Sequence, residues 1–325
     1  NRAGVPCMYD DLVYFIPPTT VHTGTSILQM ASYGSVFTES QFENGANGSV
    51  FNYDITYDPS SSTGGREGLK PPVPFQHIGT DLRDLGDDKE QYRAPFELRT
   101  GRRRDDFSGW INFCQVLSLP ADELEQQIDE WMDVDEWMRY SALMALCGIG
   151  DTFILGGLQH NIRFYVPEDG RGVAALPWDM DFVFSSGATS SVRPTATGNV
   201  RKVFSIPRNE RLYWGHVHDL LNTTFNEDYM APWLDHYGTV VGQRFTSQTS
   251  YIRSRSTAVN RQIPDEIPFE VTTNGGNNFE VEGTYAEIKG KGWVNIREFR
   301  LAGSDESLSV SWADDESWTV AGPLR

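Results

Sequence analysis

The chain has 325 residues, 39% of them hydrophobic, enough for one large domain or two ordinary ones. Its 27 basic and 45 acidic residues give a net charge of −18. That field repels nucleic-acid backbones and anionic membrane surfaces, so neither is expected as a partner, and a nucleotide would need a cation to bridge it to the carboxylates.

Residues 1–60 mix short apolar runs such as Leu12–Ile16 with Gly-rich turns, and predict short strands and one helix near Gly24–Tyr33. Residues 58–90 read as a long loop with Pro71-Pro72 and Gly86; loops of that length in compact domains are usually functional or mobile. Helices are clearest over 118–147. One starts at Pro120-Ala121-Asp122-Glu123 and runs to about Met132, and Asp133 and Glu136 then set a D-x-x-E capping pattern for the next. Trp137, Met138, Ala142, Ala145 and Leu146 follow at helical spacing, with Leu143 and Met144 making the helix apolar nearly all round, hence buried. Gly148 and Gly150 end it and deliver Asp151 to a loop that also holds Gly156 and Gly157.

Ile162, Phe164 and Val166 alternate with Arg163 and Tyr165, Asp169-Gly170 supplies a turn, and Val173–Leu176 runs back, which predicts a hairpin. Residues 185–203 are rich in Ser, Thr and Gly. Helices are predicted over Arg208–Leu221, Asp228–His236 and Gln243–Asn260. His216 and His218, two apart on a helix, face different directions and read as surface or capping residues. After Pro264 the composition shifts to strand-like runs: Phe269–Thr273, Phe279–Val281, Trp293–Leu301, Leu308–Trp312 and Trp318–Val320. Sandwich domains usually need about 100 residues, so these form a partial module.

Three cysteines, Cys7, Cys114 and Cys147, fit no zinc spacing and no disulfide framework. No segment is apolar enough to span a membrane. The chain opens at Asn1 without Met and closes just after a strand-like run, which reads as a piece of something longer.

The chemistry concentrates between Asp151 and Asp181. Asn161 opens the first hairpin strand and Asp179 follows the second, so the pairing puts both at one end. A hard divalent cation prefers such oxygen donors, with phosphate oxygens completing its shell. Asp151 would lie close enough to take a proton from an attacking hydroxyl. Asp181, two residues from Asp179, offers a second ligand or a supporting acceptor. Protein kinases use the same order of parts: helix, catalytic Asp, metal-binding Asn, two strands, metal-binding Asp. Turn-forming Asp residues are common at such positions for structural reasons alone. A carboxylate-pair glycosidase is a more distant alternative.

The segments H-N-I-R-F-Y (160–165) and L-P-W-D-M-D (176–181) resemble the signature of the CotH kinase family, the spore-coat-protein-H-like atypical kinases. A-G-V-P (3–6), D-D-F-S (105–108), M-D-V-D-E-W-M-R-Y (132–140) and G-D-T-F (150–153) are similar to its other landmarks, so the resemblance covers roughly residues 1–262. It implies an α+β fold: an atypical kinase-like domain over 1–264, its N-terminal lobe truncated, followed by a partial Ig-like β-sandwich module over 265–325. It implies Asp151 as catalytic base and Asn161 and Asp179 as metal ligands, with Asp181 as a further candidate. It implies ATP with Mg²⁺ or Mn²⁺, protein substrates with Ser/Thr acceptors, and an extracellular or cell-surface setting. Two departures stand out. Asp151 and Asn161 are ten residues apart rather than the five of the kinase catalytic loop, so the loop must bulge, for which Gly156-Gly157 give room. Asn52 stands where relatives often carry Lys, and Arg99 where they carry Lys after F-x-L, which makes Arg99 the candidate phosphate contact. The alternative is a catalytically weak or inactive surface or adhesive module on the same fold.

Overall fold

A computed structural model describes residues 2–16, 18, 25–53, 56–57, 77–78, 81–154, 160–281, 283, 285–303, 305 and 307–323. Most of the expected 58–90 loop and the Gly156-Gly157 bulge lie outside the described residues.

The chain opens with a hairpin of β1 (Asp10–Phe15) and β2 (Thr25–Met30), paired from Asp10↔Met30 to Phe15↔Thr25. The helix expected near Gly24–Tyr33 is therefore a strand: Thr25 and Ile27 are β-branched, and β1 supplies a partner. The helix comes later, as α1 (Ser35–Gln41). Then follow β3 (Ser49–Tyr53), the short pair β4 (Thr56–Tyr57) and β5 (His77–Ile78), α2 (Glu90–Arg93) and β6 (Phe96–Leu98). Helices α3 (Ser108–Ser118), α4 (Ala121–Trp131) and α5 (Val134–Cys147) lead to the hairpin of β7 (Ile162–Val166) and β8 (Ala174–Pro177). Helices α6 (Val200–Phe204), α7 (Pro207–Thr223), α8 (Glu227–Val241) and α9 (Thr246–Asn260) follow. The C-terminal strands are β9 (Glu270–Val271), β10 (Tyr285–Lys291), β11 (Phe299–Arg300), β12 (Ser307–Leu308), β13 (Val310–Trp312) and β14 (Ser317–Pro323).

The site is organised by one antiparallel sheet of order β6-β3-β7-β8. All five residues of β7 are buried, so both faces of the strand are covered. On one face Phe164 packs 4.7 Å from the Trp110 ring of α3 and stacks 5.8 Å from Trp137 of α5. On the other, Tyr165 joins Val50, Leu176, Tyr33 and Phe37 in a second cluster. The expected hairpin forms as read, pairing Ile162↔Pro177 through Tyr165↔Ala174, with Gly170 at φ +77° in the turn. The expected cap of α5 also forms: the Asp133 carboxylate accepts the Glu136 N–H at 3.1 Å. Trp137 and Tyr140 are fully buried, as the helical spacing predicts.

After Pro264, β13-β14-β10-β9 make a second sheet, with seven residue pairs between β10 and β14. The expected strands at Phe279–Val281 and Trp293–Leu301 are not formed, apart from Phe299–Arg300. Residues 293–297 instead make a turn that docks on α7. Val294 is buried in the main core, Arg211 donates to the carbonyls of Trp293 and Ile296, and Arg297 donates to the Gly215 carbonyl at 2.9 Å. Gly215 permits this approach, because a Cβ there would lie 2.6 Å from the Val294 oxygen.

His216, read as a surface or capping residue, is 3% exposed and sits at the centre of this junction. Its Nε2 lies 2.9 Å from Asp135 Oδ1, and its Nδ1 faces Arg139 Nη1 and Arg297 Nη2, each at 3.2 Å. Guanidinium nitrogens only donate, so Nδ1 must carry the lone pair and Nε2 the proton. Burial pushes the His216 pKa down; the Asp135 hydrogen bond opposes this, and Arg297 and Arg139 reinforce it. A folded-state pKa below the unfolded value gives stability that is complete above about pH 6.5 and lost as pH falls through the folded value. The thermal midpoint should therefore fall on acidification from pH 7 to 5, and more steeply in the parent than in His216→Gln. Equal slopes by calorimetry would refute the neutral-imidazole assignment.

Candidate active site

Helix α5 stops at Gly148, whose φ of +59° suits a left-handed cap. A side chain there is excluded twice over, since a Cβ would meet the Tyr251 hydroxyl. Ile149, Phe153 and Ile154 then anchor in the core, and Asp151 between them is carried at a defined place.

The next described residues, His160 and Asn161, lie against it. Asn161 has φ +59°, a conformation that Asn tolerates better than most residues, and is 3% exposed. Its Nδ2 donates to Asp151 Oδ2 at 3.0 Å and to the Asp151 carbonyl at 3.2 Å. Both bonds use the amide nitrogen, which leaves the amide oxygen, the harder metal donor, uncommitted to Asp151. His160 is 7% exposed, with Nε2 3.6 Å from Asp151 Oδ2. Asp151 Oδ1 and His160 Nδ1 are buried without hydrogen-bond partners among the described residues. Buried polar atoms are rarely left so, and an orphan pair marks a place where a water, an ion or a ligand belongs.

Asp179 is brought to the same end by the register. Ile162 pairs with Pro177, so Asn161 and Trp178 flank that rung, and Asp179 follows with φ +55° and an exposed side chain. The chain then returns to the Asp151 loop. Phe184 N–H donates to the Cys147 carbonyl at 2.8 Å, Ser186 N–H to Gly148 at 2.9 Å, and Gly150 N–H to Phe182 at 3.4 Å. Residues before Asp151 and after Asp179 thus run side by side. Asp181 lies in a turn on this return, exposed; the strand has ended at Pro177, so the expected shared strand face with Asp179 does not exist.

Arg99 lies elsewhere. It follows β6, its N–H donates to Val50, and its Nη1 sits 3.1 Å from both Glu97 carboxylate oxygens. Phe96, at the other end of β6, is the residue that aligns through Tyr53 with Ile162. Arg99 is therefore about 10 Å along the strand direction from the Asn161 end.

One supporting residue escaped the sequence. Glu136, read only as a capping partner, is buried, and its Oε2 accepts the Ala175 N–H of β8 at 2.8 Å. Burial pushes its carboxyl well above the usual range. It braces β8 from the helix side. Only the apolarity of α5 around the whole helix hinted that position 136 would be inside.

Among the described residues no three His, Cys, Asp or Glu side chains form a metal-holding group. The oxygens at the hairpin end are the Asp151 and Asp179 carboxylates and the Asn161 amide, hard donors that suit Mg²⁺ or Mn²⁺ with phosphate oxygens filling the shell. The orphaned Asp151 Oδ1 fits that use. The described helices include none long and apolar enough to cross a membrane.

A family model described as CotH kinase protein matches residues 28–269. No curated protein matches the chain.

The left-handed backbone at Asn161 sets a testable order of stability. Asn161→Val should cost more than Asn161→Gly, by about 1–2 kcal/mol in urea unfolding, because a β-branched residue strains at φ +59°. Equal losses would mean that the backbone relaxes out of this conformation.

Proposed function

The chain belongs to the CotH kinase family, and from that premise we propose that it is an ATP-dependent phosphotransferase acting on Ser and Thr side chains of exported or surface proteins. The observation that carries the reading is the clamp of Asn161 on Asp151 at the end of the hairpin where Asp179 also emerges. Asn161 Oδ1 and Asp179 would hold Mg²⁺ or Mn²⁺, with Asp181 as a supporting acceptor. The bound cation would neutralise charge on the phosphoryl oxygens. Asn161 holds Asp151 Oδ2, which fixes the orientation of the carboxylate that would receive the proton of the acceptor hydroxyl. As the hydroxyl oxygen bonds to the γ-phosphorus and the bond to the ADP oxygen breaks, Asp151 takes the hydroxyl proton. The packed return of 182–186 keeps this end of the hairpin in place.

We place the domain boundary at Pro264, with the kinase-like unit over 1–264 and a β-sandwich-like module over 265–325, and the protein outside the cell or at its surface. The second reading is an inactive binding module. It is favoured by Asn52, a neutral residue of β3 whose side chain is spent on a neighbour.

Asp179→Ala should abolish metal-dependent ATP binding, measured by titration calorimetry with and without Mg²⁺. Asp151→Asn should leave that affinity within a few-fold and cut phosphate incorporation by about 10²–10⁴-fold. Undiminished Mg²⁺-dependent ATP binding in Asp179→Ala would remove the metal assignment. Full transfer in Asp151→Asn would remove the base.

A further inference from the structure

Arg163 is the second residue of β7 and stands two residues along the chain from Asn161. Arg163 is 6% exposed, a cation almost wholly withdrawn from water. Its Nε donates to Asn52 Oδ1 at 2.9 Å, directly across the β3–β7 register. The guanidinium carbon lies 3.3 Å from the centroid of the Trp178 ring and 5.5 Å from that of Tyr33. Tyr33 is pinned in turn, its hydroxyl donating to the Pro177 carbonyl at 2.5 Å. Trp178 is joined directly to Asp179. Arg163 therefore sits two residues from Asn161 and is stacked on the neighbour of Asp179.

We propose that Arg163 is the phosphate-contacting cation of this site, a role that rests on the phosphotransferase reading. A polyphosphate approaching a chain of net charge −18, at a place built from carboxylates, needs fixed positive charge beside the metal. Arg99 lies at the other end of the sheet, about three residues along from the rung of Ile162. Arg171, the other basic residue of the hairpin, is at its turn end. Arg163 is the basic residue of the four-stranded sheet that the register puts near Asn161. A guanidinium presents a planar fork that matches two phosphate oxygens, and one already oriented by a ring and an amide loses little freedom on binding. The Asn52 amide oxygen, accepting from Nε, sets the plane of the fork.

The test is titration of the full chain with ATP, ADP and adenosine in Mg²⁺, for the parent, Arg163→Lys and Arg163→Met. Arg163→Met should weaken ATP at least tenfold, ADP less, and leave adenosine unchanged. Arg163→Lys should lose several-fold for ATP alone, because a point charge replaces a fork. A parent that binds Mg²⁺-ATP while both variants bind it equally well overturns this proposal and leaves the phosphotransferase reading standing. Equal losses for ATP and adenosine would make Arg163 a packing residue and also overturn it. If Arg163→Met does not fold, an unchanged ATP-to-adenosine affinity ratio in Arg163→Lys decides against the proposal. A parent that binds no nucleotide overturns both readings.

Discussion

The burial of β7 on both faces is the constraint on which the site depends. A strand covered on one side by Trp110 and Trp137 and on the other by Tyr165's cluster cannot shift register without exposing one set and burying the other. Its first residue, Ile162, is thereby held, and the left-handed Asn161 before it is aimed at Asp151. The polar chemistry at the hairpin end costs nothing in precision because the apolar packing behind it has already fixed the backbone. Glu136 adds a polar tie from α5 to β8 through the Ala175 N–H.

Much of this was legible in the residues. The hairpin could be read because Ile162, Phe164 and Val166 alternate and Asp169-Gly170 turns the chain, and α5 because its cap and its apolar run agree. The meeting of Asp151 with Asn161 was legible as order but not as contact, since the contact depends on how residues 182–186 return to the end of α5. The distance of Arg99 from Asn161 was not legible because sequence gives the strand but not its register; only the pairing with β3 and β7 shows that. The strand β2 was read as a helix because its pairing with β1 is not visible in local sequence, and pairing overrides weak local preference. His216 was hidden for a related reason: its burial comes from Arg297, 81 residues later.

The junction at His216 also ties the strand-rich C-terminal segment to helix α7 mechanically. Arg297 and Arg211 both donate from guanidinium groups to backbone or imidazole across α7, and the Arg211 guanidinium lies 3.3 Å from the Trp312 ring centroid. Burial pushes the pKa of Arg211 down to about 10, yet it keeps its proton at neutral pH. The strand-rich segment is therefore held to α7 by cations that meet carbonyls and a ring, with Asp219 and Asp135 near Arg297 and Asp315 near Arg211.

The order of strands has a consequence for how the protein is made. β3 pairs with β6 on one side, but on the other it waits for β7, more than a hundred residues further along the chain. At about 5–20 residues per second of synthesis, that is a delay of roughly 5–20 s. Through it the edge Ser49-Val50-Phe51-Asn52-Tyr53, all buried in the finished protein, has no partner of its own. An unpaired apolar edge is a template for pairing with other chains. The architecture that holds the site so firmly once complete makes the nascent chain dependent on being shielded until residue 166 has emerged.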